Sequence, residues 1–84
     1  MQLGFNQNVT YKGETFHVQT EDGGRSNPVI STAVFKCGSI VGSRRTSYAD
    51  IIRYDKLDAV VKDLMRDQHR AVIEDLLKGV FDRR

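Results

Sequence analysis

The sequence contains little cysteine and no long apolar segment, and each shortage excludes a class of protein. A single cysteine, Cys37, excludes an intrachain disulfide, and with His17 and His69 it makes a poor set of zinc ligands. We therefore predict no metal and no cofactor. No segment approaches the ~20 apolar residues that span a bilayer, and the N-terminus lacks the pattern of a secretory signal. We expect a cytoplasmic protein that makes no contact with a membrane.

An excess of charge of one sign is also missing. Thirteen basic and 11 acidic residues give a net charge of +2, which is too balanced to argue for nucleic acid by itself. The 84 residues predict one domain, 1–84, with a thin core. Disulfides, metals or self-association often supplement such cores. Because the first two are disfavoured, we expect a homo-oligomer, such as a dimer, or a complex with another protein.

The first half of the chain predicts two β-hairpins. Apolar and polar residues alternate on both sides of Lys12-Gly13, and a two-residue turn there would place Val9 opposite Phe16 and Asn8 opposite His17. A second hairpin, about 29–36 and 39–46, surrounds Cys37-Gly38. It carries apolar residues on both faces, which predicts that both faces are covered.

From about residue 48 the pattern becomes helical, with the main helix over about 55–78. Its apolar residues form two groups that point about 120° apart, one containing Leu57 and Val61 and the other containing His69. The helix is also longer than an eight-residue strand, so the second group would need another partner. The residues that we expect to mediate self-association are His69, Ile73, Leu76, Val80 and Phe35.

These patterns together predict an α+β fold of the order β-β-β-β-α. Its sheet would be four-stranded and antiparallel, covering about residues 3–46, with the strands in chain order as the default. One long C-terminal helix, about 48–80, would pack on one face of the sheet.

The polar face of the first hairpin is the preferred candidate site. Asparagine and glutamine are poor strand formers, so their concentration on one face needs a reason other than β-propensity. Amides and an imidazole both donate and accept hydrogen bonds, which suits a peptide, a sugar or another polar ligand. A plain solvated face is the alternative. The candidate residues are Asn6, Asn8, His17, Gln19 and Glu21.

Two other functions compete with this interpretation. A nucleic-acid-binding protein would use a basic patch on and near the second hairpin, with Tyr48 as a stacking ring. Its residues would be Arg25, Lys36, Arg44 and Arg45. A small hydrolase or isomerase would centre on His17 and Glu21, but no nucleophile, oxyanion hole or metal set accompanies them. The leading hypothesis is a non-enzymatic binding or regulatory module that self-associates.

The run FNQNVTYKGETFHVQTEDGG, followed by NPVISTAVFKCGSIVGSRRTSYADI, carries a resemblance. It is similar to a small family of bacterial proteins that share the pattern FN-x-x-V-x-Y-x-G-x-x-FHVQTED and a later Gln-His pair, here Gln68 and His69. The similarity covers most of the chain. It implies a complete module of a recurring type, and it implies no activity, cofactor or partner, because the family has no assigned function.

Overall fold

The computed structural model describes residues 4–82 and contains a sheet covered by one helix. Four strands, β1 (Gly4–Tyr11), β2 (Glu14–Asp22), β3 (Val29–Lys36) and β4 (Ser39–Ser47), form one antiparallel sheet in the order β1-β2-β3-β4. A short 3-10 turn, Ala49–Ile51, leads to the helix α1, Leu57–Leu77. The predicted α+β fold and strand order are confirmed. The predicted start of the sheet at residue 3 lies outside the described residues.

Both hairpin turns have the two-residue form that the sequence predicts. Lys12 and Gly13 have φ angles of 50° and 77°, and Cys37 and Gly38 have 52° and 81°. Positive φ at both positions gives a turn whose twist matches that of the strands, and glycine adopts it without strain. The register of the first hairpin, with Asn8 opposite His17, is also confirmed.

The helix begins later and ends earlier than the predicted range of about 55–78. Lys56 occupies the N-terminal cap position and makes no side-chain capping bond. At the other end Gly79, with a φ of 84°, closes the helix: its N–H donates to the carbonyl of Leu76, and that of Val80 donates to the carbonyl of Asp75. The chain then turns back toward the sheet, where the carboxylate of Asp82 accepts from the hydroxyl of Tyr11.

The helix presents one broad stripe to the sheet, and the expectation of two separate groups was wrong. Met65 and Val72 are fully buried and lie between the two directions that the sequence pattern suggested. At about 100° per residue those directions are the edges of one stripe. The buried helix residues are Leu57, Val61, Met65, Gln68, His69, Val72 and Leu76.

A polar layer divides the core into two apolar clusters. One cluster surrounds Val18 and Val72 and the other surrounds Ile30 and Met65. Between them, side chains from the helix and from all four strands are linked by hydrogen bonds in a continuous row. We call this row the polar layer; its members are Gln7, Thr20, Thr32, Thr46, Gln68 and His69.

The distances within the polar layer are those of ordinary hydrogen bonds. His69 Nε2 lies 3.3 Å from Gln7 Oε1, and its Nδ1 lies 2.7 Å from Thr20 Oγ1. Thr20 Oγ1 lies 2.7 Å from Thr32 Oγ1, which accepts from Gln68 Nε2 at 3.0 Å. Within the described residues no buried side-chain nitrogen or oxygen lacks a partner. The layer therefore joins helix to sheet without an unpaired polar group in the core.

Candidate functional site: the uncovered face of the sheet

The helix covers one face of the sheet, and no described residue covers the other. The prediction that the second hairpin is covered on both sides is therefore not met by residues 4–82. We call this second surface the open face. The pairing of β2, β3 and β4 arranges its side chains in three rows, which are Glu21–Ser31–Arg45, Gln19–Ala33–Ser43 and His17–Phe35–Ile40.

A β-bulge in β4 aligns Ile40 with Phe35 in the third row. The register of β3 and β4 shifts between Val34 and Phe35, so that Gly42 pairs with Val34 while Ile40 pairs with Phe35. The extra residue, Val41, packs against the core cluster on the covered face. As a result Ile40 stands beside Phe35 on the open face, where 62% of it is exposed.

The preferred site residues of the first hairpin come together on this face, in two groups. His17 lies between two asparagines of β1, with Nδ1 3.0 Å from Asn8 Oδ1 and Nε2 3.3 Å from Asn6 Oδ1. A neutral imidazole has one donor and one acceptor, so one amide must then turn its NH₂ group to the ring. In the neighbouring rows Gln19 donates to Glu21 at 2.7 Å. These hydrogen bonds between neighbouring side chains hold each of them in position.

A shallow depression of about 280 Å³ lies next to these groups. Ser31, Ala33 and Ser43 form its floor, because their side chains are short. Glu21 on β2 and Arg45 on β4 stand on opposite sides of it, one strand away from β3 on either side. The open face thus carries one carboxylate and one guanidinium at matched positions.

Phe35 belongs to this face and not to a helix-centred interface. Its ring centre lies 6.2 Å from that of His17 on the neighbouring strand, with the planes inclined at 43°. Phe35 is half-buried, and together with exposed Ile40 it forms the apolar end of the open face. Of the residues predicted to mediate self-association, Phe35 therefore remains a surface candidate.

The structure corrects the prediction that residues of the helix mediate self-association. His69 is 5% exposed and Leu76 is 1% exposed, because both pack on this chain's own sheet. Ile73 is half-buried against the same apolar cluster. Val80 is 51% exposed, but it lies in the turn after the helix and not on a continuous stripe with the others. A second copy therefore has no access to the centre of the predicted interface.

The four residues of the alternative basic patch lie apart. Lys36 forms an ion pair with Glu14 at 2.8 Å, and Arg44 forms one with Asp75 of the helix. Arg25 donates to the carbonyl of Ile52 at 3.2 Å. Only Arg45 lies on the open face, and it makes no ion pair within residues 4–82. The structure does not bring these four cations together.

A second concave region was missed because the sequence does not show which loops meet. Tyr48 is buried beneath a cleft of about 350 Å³ between the β2–β3 connection and the start of α1. Its hydroxyl donates to Asp22 Oδ1 at 2.6 Å. Burial, aided by this bond, raises the pKa of Tyr48 to about 12. The phenol is thus held in its neutral, donating form, which suits a structural link between the two loops.

Metal-ligand clusters and membrane-spanning helices are both absent from residues 4–82. No group of three histidine, cysteine, aspartate or glutamate residues there is placed to hold a metal ion. No helix in that range is both long enough and apolar enough to cross a membrane.

The chain was also compared with known proteins. No protein-family model matches it, and no curated protein or solved structure is significantly similar to it. The resemblance to the bacterial family of the FHVQTED pattern therefore stays a prediction.

Proposed function

We propose that this protein is a non-enzymatic binding module that contacts another protein surface through the open face of its sheet. The observation that carries the proposal is the uncovered face itself, where half-buried Phe35 and exposed Ile40 lie beside polar side chains that are already hydrogen-bonded. Side chains that are ordered before binding lose less conformational entropy in a complex. An aromatic residue amid ordered polar groups is typical of protein interfaces.

The charges of the open face favour a protein over nucleic acid as the partner. Single-stranded nucleic acid is held by a basic groove combined with stacking rings. The open face offers His17 and Phe35 as rings, but its fixed charges are one cation, Arg45, and one anion, Glu21. A face without net fixed charge gives no counterion-driven attraction to phosphates.

An enzymatic role has weaker support from the same face. His17 and Glu21, the pair on which a hydrolase or isomerase would centre, are four residues apart on one strand. They are therefore separated by about 13 Å, which is too far for shared acid–base work. Their polar contacts are instead to Asn6, Asn8 and Gln19.

We also propose a cytoplasmic location for the module. Cys37 is exposed at the tip of the second hairpin and forms no disulfide. A free exposed thiol is stable in a reducing compartment.

Photo-crosslinking in the cells that naturally produce the protein tests the proposed function. Benzoylphenylalanine replaces Phe35 in one variant and Tyr54 in a matched control, since Tyr54 is an aromatic residue that is 55% exposed away from the sheet. We expect a discrete adduct of defined mass at position 35 and none at position 54. Absence of an adduct at position 35, or the same adducts at both positions, would overturn the proposal.

A further inference from the structure

We propose that the protein surface bound by the open face is the same face of a second copy of this chain, related by a two-fold axis along β3. This inference depends on the proposed function and names the partner. It replaces the helix-centred interface that the sequence pattern suggested, whose central residues are buried. Three observations support it: the positions of the charges, the sizes of the side chains along β3, and the area of the face.

The charges of the open face are self-complementary. Glu21 on β2 and Arg45 on β4 both pair with Ser31 of β3, so they lie at equal distances on either side of that strand. A two-fold axis parallel to β3 places β2 of one copy over β4 of the other. Each Glu21 then lies over the partner's Arg45, which gives two ion pairs from one symmetry operation.

The other rows meet in compatible pairs under the same operation. Gln19 lies over Ser43 of the second copy, and His17 lies over Ile40, because each pair shares a row with a residue of β3. These contacts place an amide against a hydroxyl and a ring against an exposed apolar side chain. Asn6 and Asn8 of β1 fall at the rim, where water can reach the amides that hold His17.

Side chains along the axis permit close approach of the two sheets. Ser31 and Ala33 are small and form the floor of the depression, so the backbones can approach there. Phe35 at the end of the same strand meets its own symmetry mate, and aromatic pairs of this kind favour offset or tilted stacking. Because the operation keeps the strands parallel, the sheets pack in the aligned manner of β-sandwiches.

The area of the face indicates a weak dimer. The three strands that overlap, β2, β3 and β4, give a contact of about 26 by 14 Å, or on the order of 370 Å² per copy. The total is smaller than a standard specific interface and is typical of weak, transient association. We therefore expect a reversible dimer whose dissociation constant is on the order of 100 micromolar.

Charge reversal tests the arrangement by sedimentation equilibrium. Glu21→Arg leaves only cations at the four matched positions of a dimer, and Arg45→Glu leaves only anions. Each variant alone should therefore dimerise at least about tenfold more weakly than the natural chain. Mixed in equal amounts, the two variants should form a heterodimer, because every cation then faces an anion. Glu74→Arg on the exposed side of the helix is the control for Glu21→Arg, because it makes the same change in charge, and it should leave dimerisation unchanged.

Three results would overturn the inference. These are a natural chain that stays monomeric up to about millimolar concentration, a dimer that neither reversal weakens, and single variants that fail to associate when mixed. Failure here is distinguishable from failure of the proposed function. A crosslink from position 35 to a different protein would keep the binding module and exclude the second copy.

Discussion

His69 Nδ1 lies 2.7 Å from Thr20 Oγ1, a hydroxyl that can either donate or accept a hydrogen bond. The other nitrogen, Nε2, faces Gln7 Oε1, which only accepts hydrogen bonds. With the Gln7 amide in this orientation, a neutral ring donates from Nε2 and accepts at Nδ1 from the Thr20 hydroxyl. Thr20 in turn accepts from Thr32, which accepts from Gln68. Protonation of the ring would reverse this order, because Nδ1 would then have to donate.

The stability of the fold should therefore depend on the charge of His69. Burial lowers the pKa of His69 below its ordinary value of 6.5, so the unfolded chain binds the proton more readily than the folded one. The free energy of unfolding is then fully retained above about pH 6.5 and falls as the pH drops from there toward the folded-state pKa. Urea unfolding measured between about pH 5 and pH 8 checks this dependence.

Two variants assign that pH dependence to its source. His69→Gln removes the titrating ring and should flatten the fall in stability. His17→Gln on the open face is the matched control and should retain it. An unchanged slope in the His69 variant would show that another group is responsible.

Loss of the Thr20 hydroxyl should destabilise the protein markedly. Thr20→Val keeps the shape of the side chain but leaves His69 Nδ1 without its donor in the buried layer. An unsatisfied buried polar group costs about 1–3 kcal/mol. Thr15→Val, at an exposed position of the same strand, should change the free energy of unfolding by less than about 0.5 kcal/mol. Equal effects of the two substitutions would contradict the role given to the polar layer.

Gly42 should not tolerate a side chain, because the Phe81 ring occupies the space where a Cβ would stand. We expect Gly42→Ala to cost about 1–3 kcal/mol and to release the C-terminal turn from β4. Gly4→Ala is the control, since the nearest atom to a Cβ there is the Thr20 carbonyl oxygen at 3.5 Å. In a double-mutant cycle Phe81→Ala should remove most of the cost at Gly42. Additive effects would mean that the two residues do not meet.

The phenol of Tyr48 should lose its proton only at strongly alkaline pH. Absorbance titration should show one tyrosine ionising near pH 12, and Tyr48→Phe should abolish that step. Because the folded-state pKa lies above that of the unfolded chain, the contribution of this phenol to stability is lost as the pH rises above about 10. The same variant loses the bond to Asp22 and should lower the stability at neutral pH by about 1 kcal/mol. A natural chain without a step near pH 12 would show that Tyr48 is not enclosed as described.

Local patterns in the sequence were sufficient to predict the hairpins, their turns and the polar face of the first hairpin. Strand register follows from alternation and from two-residue turns, both of which act over a few residues. This is why Asn6, Asn8 and His17 could be placed on one face before the fold was known.

The polar layer was not predictable in this way. His69 and Gln68 lie on the helix, and their partners Thr20 and Thr32 lie more than 30 residues earlier in the chain.

The buried side of the helix also shows why the sequence pattern placed self-association there. The helix pattern suggested a second apolar group because Met65 and Val72, which join the two groups, were not included in it. The symmetric placement of Glu21 and Arg45 about β3 depends on the strand order and on the register of β4. Neither charge alone distinguishes this face from an ordinary solvated one.

Nuclear magnetic resonance of the natural chain at two concentrations tests the central claim most directly. Dilution from about millimolar to about ten micromolar should shift amide signals on the open face, along β3 and at Glu21 and Arg45, as the dimer dissociates. Signals from the exposed side of the helix, such as those of Arg66 and Glu74, should stay in place. Signals that do not move on dilution, or that move on the helix and not on the sheet, would contradict the account.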